Sequence, residues 1–203
     1  SGSAVCSPTR YGLLTGRYAW RSRLQAGVVG EDQPCLIDAE RLTLPGFLRQ
    51  HGYHTACIGK WHLGYTYADA DGRQVLAEPE HDERRGTWTA GVPAGTTVVG
   101  GPVDRGFDTH FGFQRSRTVG TLVRGREVSE ELPSDEVLQR LGREARDYLD
   151  ARAEEQGTPF FLYLPLNSPH SPIAPSAAWQ GRSGIGPYGD FVMETDDVVG
   201  QVL

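Results

Sequence analysis

The segment Phe160-Phe161-Leu162-Tyr163-Leu164-Pro165 is apolar without interruption. A strand with one wet face alternates polar and apolar residues, so a continuous run asks for cover on both faces, as in a buried parallel sheet. The residues ahead of it supply cover. Pro133-Ser134-Asp135-Glu136 is a helix start with acids in its first turn, and Val137, Leu138, Leu141, Ala145, Tyr148 and Leu149 then recur at helical spacing to about Glu155. Gly157-Thr158-Pro159 breaks the helix. A helix feeding a buried strand is the unit from which α/β folds are built.

The same signals recur elsewhere. Ser7 as N-cap, Pro8 at the first helical position and Gly16 as a stop predict a short helix over 8–15. Leu42 to Gly52 reads as a second helix and Tyr53 to Gly59 as a strand. Asp190 to Leu203 resumes helical period through Phe191, Val198, Val199 and Val202. The expected fold is α/β, a mainly parallel sheet flanked by helices. Residues 65–105 are polar and rich in Gly, Pro and charge. An unstructured stretch of that length is usually functional or inserted, so it is read as a loop-rich insertion on the substrate side. The chain starts SGSAVC, without Met or signal pattern, and stops inside a helical period. The expectation is an internal segment of a longer protein, incomplete at both ends.

Charge and cysteine usage exclude several classes. The net charge is −6, so there is no basic footprint for nucleic acid. No apolar run approaches the roughly 20 residues of a membrane span. Cys6, Cys35 and Cys57 are an odd set without a zinc-type CxxC pair. Cys35 and Cys57 read equally as a disulfide or as two buried thiols. His81-Asp82-Glu83 reads as a solvated loop and Asp196-Asp197 as a solvated pair on the last helix. No P-loop, nucleophile elbow or dinucleotide glycine motif occurs.

Three short stretches carry chemistry. Cys6 stands at the mouth of the first helix with Arg10 one turn on, so a dipole end, free N–H groups and a fixed cation meet in an anion site. A buried thiol beside a surface arginine is the plainer reading. In Lys60-Trp61-His62, alternation beyond the strand puts Lys60 and His62 on one face and Trp61 in the core. An isolated histidine is ordinarily structural. Lys60, however, is the only lysine among 19 arginines, which points to a site that wants a compact ammonium. His170 lies in Ser168-Pro169-His170-Ser171-Pro172, just past the carboxyl end of the 160–165 strand, where open α/β sheets bind ligands. A histidine in a surface turn is the competing reading.

In order and together, these segments resemble the sulfatase family. Cys6-Ser7-Pro8-Thr9-Arg10 has the C-x-P-x-R form of its nucleophile signature. Gly52-Tyr53-His54-Thr55-Ala56 with Gly59-Lys60-Trp61-His62-Leu63-Gly64 looks like its second signature, and Ser168–Pro172 looks like its histidine loop. Gly106-Phe107-Asp108 through Phe111-Gly112, and Gly186-Pro187-Tyr188-Gly189-Asp190 through Val199-Gly200, also match in order. The resemblance spans the chain except 65–105, and it implies the sulfatase/alkaline-phosphatase-like fold within a single catalytic domain.

The resemblance further implies a sulfuric ester hydrolase, arylsulfatase-like, in which a separate maturation enzyme converts Cys6 to formylglycine. The hydrated aldehyde attacks the sulfate ester, and its second hydroxyl lets the sulfated intermediate collapse and expel sulfate. By the same resemblance Arg10 and Lys60 neutralise sulfate oxygens. His62 deprotonates the remaining hydroxyl, and His170 binds sulfate and protonates the leaving alcohol. Ser116 matches a family serine beside the nucleophile and is a further substrate contact. A divalent cation, Ca2+ or Mg2+, is implied, with Cys6 as formylglycine among its ligands. The family's other ligands, two consecutive aspartates and an Asp-Asn pair, have no match in these 203 residues, so the segment alone is expected to be inactive. A sulfated small molecule or glycan is the implied substrate, and a secreted, periplasmic or lysosomal setting the implied location. Two alternatives stand beside this: a formylglycine-dependent phosphonate or phosphodiester hydrolase, and a non-catalytic relative that binds sulfated glycans.

Overall fold

In a computed structural model the chain is described over residues 3–83, 87–155 and 157–203. The elements run α1 (Cys6–Thr15), α2 (Leu44–Gln50), β1 (His54–Lys60), β2 (Thr66–Ala68), β3 (Gln74–Val75), β4 (Glu80–Asp82), β5 (Thr87–Thr89), β6 (Thr97–Val99), β7 (Thr109–Phe113), β8 (Thr121–Arg124), β9 (Glu127–Glu131), α3 (Ser134–Glu154), β10 (Phe160–Tyr163) and α4 (Pro187–Val202). The architecture is α/β. One sheet has the strand order β10-β1-β7-β8-β9-β6-β2-β3, and β4 and β5 form a separate hairpin. β1 pairs in parallel with β10 on one side and with β7 on the other. Beyond β7 the pairings turn antiparallel, a wing the sequence patterns did not announce.

The parallel part is assembled as its residues suggest. β1 is buried from Thr55 to Lys60. On one face Ile58, Phe111 and Phe113 pack with Val137, Leu141 and Ala145 of α3, the stripe read from helical spacing. The opposite face carries Cys57, Trp61 and Phe107. Phe107 stacks on Tyr163 and meets Trp61 edge-on, while Asp108 accepts hydrogen bonds from the Thr55 N–H (2.9 Å) and hydroxyl (3.0 Å). The Gly106-Phe107-Asp108 block thus pins β7 to β1. Where the two strands lie closest, Gly59 faces Gly112. A Cβ on Gly112 would stand 1.9 Å from the Gly59 carbonyl oxygen.

Several expectations change. Among the described residues β10 stands at the end of the strand order, with Phe161, Leu162 and Tyr163 half-buried and Phe160 43% exposed. Helix α1 begins at Cys6 with Val5 as its N-cap, because the Ser7 hydroxyl is spent on tertiary bonds rather than capping. Helix α4 starts three residues earlier than Asp190. Among the described residues of 65–105 lie five short strands, β2 to β6, of which β2, β3 and β6 join the main sheet. Tyr65 and Tyr67 are fully buried there, so much of the stretch is core rather than loop. Cys35 and Cys57 are free, buried thiols, and burial raises both pKa values. Among the described residues no helix is long and apolar enough to cross a membrane.

The glycine contact gives a contrast that calorimetry can check. Gly112→Ala, blocked by rigid backbone, is expected to cost about 3 kcal/mol or prevent folding. Gly125→Ala meets no atom and carries only the penalty of a left-handed residue, about 1 kcal/mol.

Candidate active site

The three parallel strands end together, and the candidate residues follow their carboxyl ends, where α/β sheets place their sites. The ladder runs on past the strands. Lys60 N–H donates to Pro165 O (2.8 Å), Trp61 N–H to Phe113 O (2.9 Å) and His62 N–H to Gln114 O (2.7 Å). Each rung ties the end of β1 or the residues just after it to the end of β7 or to the residues just after β7 and β10. His62 adopts a left-handed conformation, φ 48°, a strained geometry that the surrounding bonds hold in place. Trp61 is wholly buried, as alternation predicts.

Helix α1 brings Cys6 to this point. Ser7, fully buried, donates its hydroxyl to His62 O (2.7 Å) and accepts from Val29 N–H (3.1 Å), fastening the helix start to the histidine backbone. Cys6 Sγ then lies 3.1 Å from His62 Nδ1. Arg10, one turn on, donates to Lys60 O and lies 3.4 Å from the Tyr163 hydroxyl, while its Nε is buried without a partner. Lys60 Nζ donates to Ser116 Oγ (3.0 Å), and Ser116 Oγ is 3.1 Å from His170 Nδ1. The Ser171 carbonyl, 2.7 Å from the same nitrogen, can only accept, so His170 Nδ1 carries the proton and Nε2 is the ring atom left for a ligand.

The site therefore gathers every candidate named from sequence: Cys6, Arg10, Lys60, His62, Ser116 and His170. Cys6 and Ser116 are half-exposed, Lys60 and His62 buried, His170 exposed at the rim. Burial drives the electrostatics. Desolvation, with Lys60, Arg10 and Arg115 adding repulsion, pushes His62 down to about 3, so its imidazole is neutral at neutral pH. Lys60 is lowered to about 8, chiefly by burial. His62 Nε2 is buried beside the Val29 backbone, outside full hydrogen-bonding geometry. Sequence reasoning passed over Arg115, which pairs with Glu31 at 3.3 Å and faces the site electrically, and Tyr163. Arg115 stands next to Ser116 and was legible only by that adjacency.

Elsewhere, His81 stacks on Trp88 in the small hairpin, and Asp197 accepts from Gln201 on α4. Among the described residues no group of three His, Cys, Asp or Glu side chains is placed to hold a metal.

The family model described as sulfatase matches residues 1–203. Arylsulfatase A of Bos taurus is 31% identical over 98% of this chain and 39% of its own length. The N-acetylgalactosamine-6-O-sulfatase of Bacteroides thetaiotaomicron is 26% identical over 99% of this chain and 46% of its own length. Human N-acetylgalactosamine-6-sulfatase is 29% identical, over 100% and 38%. This chain thus spans less than half the length of these relatives. A structure solved in work on glycosaminoglycan metabolism by Bacteroides thetaiotaomicron superposes with a TM-score of 0.75 at 20% identity, over 100% of this chain and 49% of that one. A Pseudoalteromonas sulfatase superposes with a TM-score of 0.70 at 21% identity, over 98% and 41%. These two show a shared fold.

Ser7→Ala removes a buried hydroxyl that serves two backbone groups. It is expected to lower stability by roughly 1–3 kcal/mol in denaturant titration.

Proposed function

Because the chain belongs to the sulfatase family, we propose that the intact protein hydrolyses sulfate monoesters, with a nucleophile made from Cys6. The observation that carries this reading is the line of contacts from Cys6 to His62 and from Lys60 through Ser116 to His170, set around one helix N-terminus. In this reading residues 1–203 are part of a single catalytic domain, and 65–105 is an insertion of short strands and loops that bears on substrate choice.

Conversion of Cys6 to formylglycine fits its surroundings. The side chain is half-exposed, and its polar partner is a neutral imidazole nitrogen that accepts a proton from a hydroxyl as well as from a thiol. Formylglycine supplies a hydrated aldehyde, an oxygen nucleophile with a second hydroxyl that allows sulfate to leave. A calcium or magnesium cage does not fit the described residues by themselves. Cys6, as formylglycine, is the one ligand this chain would contribute.

The chain's own residues divide the remaining work. Arg10 and Lys60 neutralise sulfate oxygens as charge builds on them, Arg10 as a planar fork and Lys60 as a point charge on a lean stem. His62, kept neutral by its surroundings, takes a proton at the Cys6 side chain through Nδ1. In its doubly protonated form His170, with Nδ1–H held by the Ser171 carbonyl, donates Nε2–H to sulfate and gives that proton to the departing alcohol. Ser116 relays contact between Lys60 and His170 and touches substrate. The substrate in this reading is a sulfated small molecule or a sulfated sugar, the class named for the N-acetylgalactosamine-6-sulfatase relatives. Its setting is secreted, periplasmic or lysosomal, and a maturation enzyme is the obligatory partner.

Full-length protein co-expressed with a maturation enzyme tests this in three ways. Peptide mass spectrometry at position 6 should show formylglycine, whereas an unmodified thiol indicates a non-catalytic binder. Turnover of an aryl sulfate should exceed that of an aryl phosphodiester, and the reverse order indicates a phosphodiesterase. Cys6→Ala should reduce turnover to background with an unchanged melting temperature. Lys60→Arg should cost roughly 100-fold, because a guanidinium does not fit a compact ammonium site.

A further inference from the structure

The loop between β10 and α4 carries His170 and has no regular structure, and the imidazole is exposed, so packing does not fix it. Two of its own contacts are local, His170 N–H to Asn167 O (3.2 Å) and Nδ1 with Ser171 O, and one is long-range, Nδ1 with Ser116 Oγ. What holds the loop as a whole is α4. The Asp190 carboxylate accepts N–H bonds from Gly181 (2.8 Å) and Ser183 (2.7 Å). Glu194, with no exposed surface, accepts from the Ser176 N–H (2.9 Å) and from Gln139 Nε2 of α3 (3.0 Å). Thr195 Oγ1 lies 2.6 Å from Phe191 O and 2.7 Å from Ser168 Oγ.

The last pair matters most for the histidine. Thr195 has one hydroxyl proton, and its own helix carbonyl four residues back takes it. Ser168 is therefore the donor, and its bond to Thr195 anchors the backbone two residues before His170. Glu194 anchors the same loop six residues after it. Neither side chain belongs to the set around Cys6, and both bonds bridge segments far apart in sequence.

We infer that Thr195, acting through Ser168, is a positioning residue that sets where the His170 imidazole stands against Lys60 and Ser116. This rests on the acid role of His170 proposed above. An acid misplaced by a fraction of an ångström fails most where the leaving group most needs a proton. The deficit must then grow as the leaving alcohol becomes less acidic, which a simple loss of folded protein cannot mimic.

The test uses the full-length, matured protein and a series of aryl sulfates from nitrophenyl to methoxyphenyl. Thr195→Val should lower kcat on methoxyphenyl sulfate by roughly tenfold or more and on nitrophenyl sulfate by less than about threefold, with KM little changed. Thr195→Ser, which keeps the hydroxyl, should restore the wild-type slope. Ser168→Ala should match Thr195→Val, and the double variant should be no worse than either. An equal loss across the series, or a loss that tracks the folded fraction, overturns the inference. His170→Ala supplies the reference. If its own deficit is flat across the series, the acid role falls and this inference with it. If it is steep while Thr195→Val is flat, only the inference falls.

Discussion

Cations held next to one another out of water are the constraint on which the rest of this structure depends. Lys60, His62 and Arg10 share the space in front of Cys6, and exposed side chains with such charges would turn outward to solvent. Here the backbone prevents it. Lys60 and His62 are consecutive outward rungs of the β1 ladder, one bonded to the segment after β10 and the other to the segment after β7. Arg10 is tied to the Lys60 carbonyl. Burial, with the neighbouring cations adding repulsion, makes the imidazole give up its charge, which leaves a ring nitrogen free to accept a proton beside Cys6.

Structure remote from the site serves that constraint. The Gly59–Gly112 contact draws β1 and β7 close just below the cluster, and Phe107 fills the space between Trp61 and Tyr163. Ser7 converts the start of α1 into a strut against His62. On the other flank, α4 gathers a long irregular loop by side chains alone, so an exposed histidine is held without burial. Rigidity here comes from hydrogen bonds at the ends of elements more than from the elements themselves.

Much of this was legible locally. The α3 stripe, β1 and the break before β10 follow from apolar spacing and from Gly and Pro. The outer antiparallel wing is not legible, because β2, β3 and β6 are strands of two or three residues, too short to show alternation, and Tyr65 and Tyr67 look like surface residues among polar neighbours. The apolar run of β10 suggests a strand covered on both faces, as in a buried parallel sheet. The start of α1 lies two positions before the one its residues suggest: Ser7 has the chemistry of a cap, but tertiary partners claim its hydroxyl.

By itself the sequence determined which chemical groups the site contains: a thiol and a guanidinium one helical turn apart, a lone lysine two residues from a histidine after a strand, and a histidine between prolines. Those are matters of residue type and short-range period, and the chain carries them directly. Only the tertiary structure decided that Ser116 stands between Lys60 and His170, that Arg115 adds its field, and that His62 is neutral. Each depends on register between strands some 50 residues apart or on desolvation summed over many neighbours. No local pattern encodes such sums.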